Sequence, residues 1–141
     1  MKDSIQKYFQ VGTIQWMSHP PISYDLLDSI KSIASDEYFS AVEVTSIMDE
    51  ETRKKVKHLL EQSHLKVCFG AQPSLLGPGL NPNDVDEDRR KQAEEVLIKA
   101  VDEAEYLGAG GIAFLAGKWE EDTKALAYEQ LLKTTRSVCT H

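Results

Sequence analysis

Four short apolar runs alternate along the chain with longer segments of helical period. Residues 9–17, FQVGTIQWM, form the first run, with Val11 and Ile14 as apolar mass and Gln15 and Trp16 at the C-terminal end. Residues 39–47, FSAVEVTSI, alternate as a strand does. Val42 and Val44 share one face, and Ala41, Glu43 and Thr45 share the other. In residues 65–72, LKVCFGAQ, Val67, Phe69 and Ala71 alternate with Lys66, Cys68, Gly70 and Gln72. Residues 111–116, GIAFLA, are the fourth run. Each is short enough for a buried strand.

Between these runs the period lengthens. From about Tyr24, the residues Leu26, Leu27, Ile30, Ile33 and Ala34 make one helical face. Asp49 is placed to cap a helix opening with Glu50 and Glu51, where carboxylates suit the helix dipole. That helix buries Val56, Leu59 and Leu60, and its basic residues Arg53, Lys54, Lys55 and Lys57 are expected on the solvated side. A third helix begins near Asp86 and carries a long stripe through Ala93, Leu97, Ala100, Ala104 and Leu107. Gly108 ends it, as a glycine in the left-handed conformation commonly does. The last helix is expected to bury Leu126, Leu131, Leu132, Thr135 and Val138. Residues 72–84 form a loop rich in Gly, Pro and Asn, longer than a connector needs. Such loops in parallel sheets often carry function, and this one is read as a lid.

The pattern is a βα unit repeated four times, with parallel strands and right-handed crossovers. No linker divides residues 1–141, which predicts one domain. Two α/β architectures take four such units: a small doubly wound sheet, or half of a (β/α)8 TIM barrel. Central strands of a doubly wound sheet are apolar on both faces, whereas the inner face of a barrel tolerates polar groups near strand ends. Glu43, Lys66 and Gln72 make the second and third strands polar on one side, which favours the half-barrel. The first βα loop, MSHPPI, also lacks the glycines of a phosphate cradle.

Charge and composition narrow the partners. A formal net charge of -7 argues against nucleic acid, whose phosphates need compensating cations. No apolar run approaches the roughly 20 residues of a membrane span. The opening MKDSIQKYFQ has no apolar signal core. The two cysteines, Cys68 and Cys139, read as reduced packing residues, with a disulfide or reactive thiol as the alternative. These features describe a cytoplasmic protein without nucleic-acid or membrane partners.

Residues 77–117, with the loop GPGLNPND, the helix that follows and the turn LGAGG into the fourth strand, resemble the third and fourth units of the xylose-isomerase-like TIM-barrel superfamily. Leu80-Asn81, Asp84 or Asp86, Arg89 or Arg90, and Leu107-Gly108-Ala109 carry the likeness, together with VGTIQWM and AVEV upstream. The resemblance implies a metal-dependent sugar or sugar-phosphate isomerase or epimerase. Such enzymes move a proton next to a carbonyl through an enediolate, with a divalent Mn, Mg, Co or Zn ion as cofactor. It further implies that the metal ligands and the acid–base pair come from strands five to eight. This chain would then be the N-terminal half of such a barrel, inactive by itself. Related three-zinc endonucleases place histidines at the ends of strands three and four, where this chain has Gln72 and Ala116-Gly117.

Because barrel sites form at the C-terminal ends of strands, the candidate sugar-binding residues are Glu43, Gln72, Gln15, Trp16 and His19. Glu43 either meets the substrate or serves as a structural acceptor inside the barrel. Gln15 and Gln72 either contact a sugar hydroxyl or pin a loop, and Trp16 either stacks on a sugar or packs. No catalytic or metal-ligating residue is assigned in this chain. The alternative function is a free-standing half-barrel that binds a partner, or forms a homodimer through its exposed sheet edges, without catalysis.

Overall fold

The computed structural model describes residues 7–141. Strands β1 (Gly12–Ile14), β2 (Ala41–Val44), β3 (Lys66–Gly70) and β4 (Ile112–Ala113) form one sheet in the order β1-β2-β3-β4. β1 pairs with β2 and β2 with β3 in parallel. The Phe69 amide donates to the Gly111 carbonyl and the Ala71 amide to the Ala113 carbonyl. Both partners advance by two residues in the same sense, so β4 is parallel as well. The expected α/β class with four parallel strands is therefore present. The strand order never reverses, as it would at the switch point of a doubly wound sheet.

The strands are shorter than the apolar runs suggested. Gln15 and Trp16 do not extend β1; they open a single helical turn, α1 (Gln15–Ser18). Ser18 Oγ donates back to the carbonyl of Ile14 at 3.0 Å, and the His19 amide donates to that of Gln15 at 2.8 Å, which closes the turn. A short apolar run carries no period that separates strand from helix. The expected lid likewise contains a helix, α4 (Gln72–Leu76), with Pro73 in its first turn, where a missing N–H is harmless. The other helices fall where their periodicity placed them: α2 (Leu26–Ser35), α3 (Glu50–Gln62), α5 (Glu87–Tyr106) and α6 (Lys124–Thr140). Among the described residues no helix is long and apolar enough to cross a membrane.

The described residues divide into two compact units. The first contains residues 7–69 and Ala104–Gly111. Its sheet has two unlike faces. The register aligns Thr13, Val42 and Val67 in one row and Val44 with Phe69 in the next. Val42 and Val44 are 1% exposed and Phe69 is 0% exposed. Ile30 and Ile33 of α2 and Val56 and Leu60 of α3 complete this buried apolar set. The opposite rows are Gly12, Ala41 and Lys66, then Ile14, Glu43 and Cys68. Lys66 and Cys68 are exposed there, and Glu43 is half-buried. Cys68 is thus no packing residue, and Cys139, also free, is exposed on α6.

Caps fix where the helices of this unit begin. Asp25 accepts from the Asp28 amide, and Asp49 accepts from the Thr52 amide at 2.8 Å, as its place before Glu50 predicted. The basic face of α3 is only partly solvated. Lys57 Nζ lies 4.3 Å from the Tyr106 ring centre and the Arg53 guanidinium lies 5.8 Å from it, so both cover an aromatic ring. Gly108 has φ +74°, and the next amide, that of Ala109, donates to the Ala104 carbonyl, so the expected left-handed stop is present.

The second unit contains Gly70–Glu103 and Ile112–His141. Asp86 caps α5 by accepting from the amides of Asp88 and Arg89. The buried face of α6 is Ala127, Gln130, Thr134 and Val138, not the leucine stripe expected from periodicity. Leu126 is 44% exposed, and Leu131 and Leu132 are half-buried. The inward face is chosen by polar pairing with α5, which outweighs apolar count.

The two faces of β3 predict opposite responses to truncation. Phe69→Ala should cost about 3–5 kcal/mol of unfolding free energy. Cys68→Ala, on the open face, should stay within about 0.5 kcal/mol. Urea titrations of both variants followed by circular dichroism would check this contrast, and equal losses would disprove it.

Candidate functional site

In the first unit the candidates sit where β1 and β2 end. Gln15 is 4% exposed, and its Nε2 donates to Ser29 Oγ at 2.8 Å. Ser29 passes the bond on to the Leu26 carbonyl at 2.7 Å. The Gln15 carboxamide therefore anchors the turn after β1 to the first turn of α2. His19 shares Nδ1 with Ser18 Oγ at 3.0 Å and meets Tyr24 edge-on, ring centres 4.9 Å apart.

Trp16 and Glu43 differ from these. The Trp16 Nε1 donor and the Glu43 Oε1 acceptor are enclosed and have no hydrogen-bond partner among the described residues. Glu43 also forms no ion pair among the described residues. Its row in the sheet holds only Ile14 and Cys68 beside it. Enclosed polar atoms without partners are uncommon, because each retains its desolvation penalty. Gln72, in the second unit, opens α4, and its Oε1 is likewise enclosed and without a partner among the described residues.

The second unit is organised by a residue whose role the sequence left open. Arg90 is 4% exposed. Its Nε and Nη2 donate to the two carboxylate oxygens of Glu87 at 3.1 and 2.9 Å. Its Nη1 donates to Glu94 and, at 2.9 Å, to Thr134 Oγ1 on α6. Thr134 then donates to the Pro82 carbonyl at 2.8 Å. From α6, Gln130 donates to Glu87 and Ser137 to Glu94, each at 2.9 Å. The hydrogen bond from Arg90, reinforced by that from Gln130, holds the Glu87 carboxyl down to about 2. The same pairing makes the Arg90 guanidinium bind its proton more firmly. The only signal in the sequence was an arginine at i+3 from Glu87 and i−4 from Glu94, which reads equally as a surface pair.

Two loops of this unit are clamped together beside that network. Asn83, 5% exposed, donates through Nδ2 to the Lys118 carbonyl at 2.8 Å. Gly117 has φ +98°, and a Cβ there would lie 2.0 Å from Asn83 Oδ1. Glycine is needed at this position for its conformation and for the space. The clamp forms the floor of a groove of about 700 Å³, walled by Trp119, Tyr128 and Leu131 with Lys124 and Glu121 at its rim. Lys124 Nζ stands 4.6 Å from the Trp119 ring centre. The sequence had Trp119 following the fourth strand but held nothing to show that α6 would turn Tyr128 and Leu131 towards it.

No protein-family model matches this chain, and no curated protein matches it. Among the described residues no three His, Cys, Asp or Glu side chains come together as metal donors. The described residues therefore do not fit a divalent ion of the kind the family resemblance implies, and no chemical step is assigned to one here.

Two measurements probe the second unit. Glu87 has a folded value lowered from 4.5 to about 2, so its contribution to stability is complete above 4.5 and is lost as the pH falls towards 2. Urea midpoints should drop over that window, and less steeply for Glu87→Gln; an unchanged slope in the variant would count against the pairing. Gly117→Ala should destabilise the protein by about 2 kcal/mol or more, from the left-handed backbone and the collision with Asn83. Asn83→Ala in the same chain should recover part of that loss.

Proposed function

We propose that this chain forms the first four βα units of a (β/α)8 barrel belonging to a metal-dependent sugar or sugar-phosphate isomerase or epimerase. The observation that carries this is the sheet of the first unit. It is sequential and parallel, packed on one face, and open on the other, where a carboxylate stands without a partner among the described residues. An inner barrel wall has these properties, because its second side is completed by further strands.

In this reading the chain supplies binding groups and no catalytic ones. Glu43 accepts a hydroxyl hydrogen, Trp16 contributes its ring and N–H, and His19 borders the same strand ends. Gln15 positions rather than binds, since its amide is committed to Ser29. Gln72 is a further candidate at the end of β3. The acid and base that move the proton next to the carbonyl, and the donors of the divalent ion, belong to strands beyond these four.

The test is turnover. The chain supplied with Mn²⁺ and a panel of free and phosphorylated ketoses should show no isomerisation, and no deuterium uptake at the carbon next to the carbonyl. Supplying four further βα units, fused or co-expressed, should restore both. Turnover by the chain alone would overturn the assignment of catalysis to later strands. A stable homodimer in sedimentation that binds no sugar would favour a non-catalytic assembly module instead.

A further inference from the structure

The half-buried carboxylate on the open sheet face also bears on the charge of what it meets. Glu43 lies in the row nearest the C-terminal end of the open face, between Ile14 and Cys68, neither of which carries a cation. Lys66 shares that face but stands one row back, beside Ala41, and makes no ion pair with Glu43 among the described residues. Arg53 and Lys57 of α3 are engaged elsewhere, against Tyr106. Gln15 is spent on Ser29, and His19 on Ser18 and Tyr24. Among the described residues, the enclosed polar atoms without a partner at the ends of β1 and β2 are Glu43 Oε1, an anionic acceptor, and Trp16 Nε1, a neutral donor.

We propose that the part of the ligand received at the ends of β1 and β2 is an uncharged, hydroxyl-bearing end, and that Glu43 rejects a phosphate or carboxylate there. This rests on the sugar-binding role proposed above and adds the charge of the bound end. A hydroxyl donates, so it satisfies the carboxylate, which a dianionic ester cannot do. A phosphate monoester brings a like charge against a carboxylate that has no compensating cation among the described residues. Glu43 thus acts as a specificity residue through repulsion as well as through its hydrogen bond.

The experiment uses the full chain carrying Trp119→Phe, which leaves Trp16 as the single tryptophan. D-fructose and its terminal monophosphate are titrated at matched ionic strength while Trp16 fluorescence is followed. The free ketose should bind about tenfold more tightly than the ester, or more. Glu43→Gln, which keeps the shape and removes the charge, should close most of that gap; Glu43→Asp should keep it. Circular dichroism of each variant confirms that it is folded. Equal or tighter binding of the ester, or a gap that Glu43→Gln leaves unchanged, would overturn the charge selection while leaving the sugar-binding role standing. Binding of neither compound would overturn both.

Discussion

One buried guanidinium joins three segments that would otherwise be only loosely related. Arg90 cannot lose its charge, so once enclosed it must be surrounded by acceptors. Glu87 and Glu94 supply them from its own helix, and Thr134 supplies one from α6. Gln130 and Ser137 then hold the same two carboxylates from α6. Thr134 extends the network to the Pro82 carbonyl, next to Asn83, whose side chain grips Lys118. The phase of α6, the seat of the loop after α4 and the path of the chain beyond β4 thereby become parts of one arrangement. Removing either carboxylate leaves an enclosed guanidinium short of one of its two anionic partners, a larger penalty than the loss of a surface pair.

The first unit is built on a different constraint. Its strands bury one face and leave the other open, and the division follows the pleat. Val42, Val44 and Phe69 point one way, and Glu43, Lys66 and Cys68 point the other. A parallel sheet is normally covered on both faces. Here the open face carries a carboxylate that has no partner among the described residues. The half-barrel reading and the charge selection at Glu43 both grow from this asymmetry. The apolar groove between Trp119 and α6 in the second unit lies outside that argument, since nothing in the structure specifies its occupant.

Much of the fold was legible in the chain because two periods were strong. Alternation around Val42 and Val44 and the long stripe from Ala93 to Leu107 each have a single consistent interpretation. The cap at Asp49, the start of α5 near Asp86 and the stop at Gly108 were equally legible, because they depend on bonds within a few residues. The short turn at Gln15 was not: a run of nine mixed residues fits strand or helix, and the bonds from Ser18 and His19 settle it. Of the candidate site, the side of β2 that Glu43 occupies was legible, but the lack of a partner for it was not.

The sequence by itself determined the class, the order of the four strands and long helices, and the capped starts and stops of the long helices, because those follow from periodicity and local hydrogen bonding; it did not determine the strand ends or the short helices α1 and α4. It also determined which side chains of β2 and β3 share a face, since that is a property of the pleat. Only the tertiary structure decided which face of α6 turns inward, whether Arg90 is a surface ion pair or the centre of a network, and why position 117 takes glycine. It also decided that Gln15 is committed while Trp16 and Glu43 are not. Each of these depends on groups tens of residues apart competing for the same donors and acceptors, and no local pattern records the outcome of that competition.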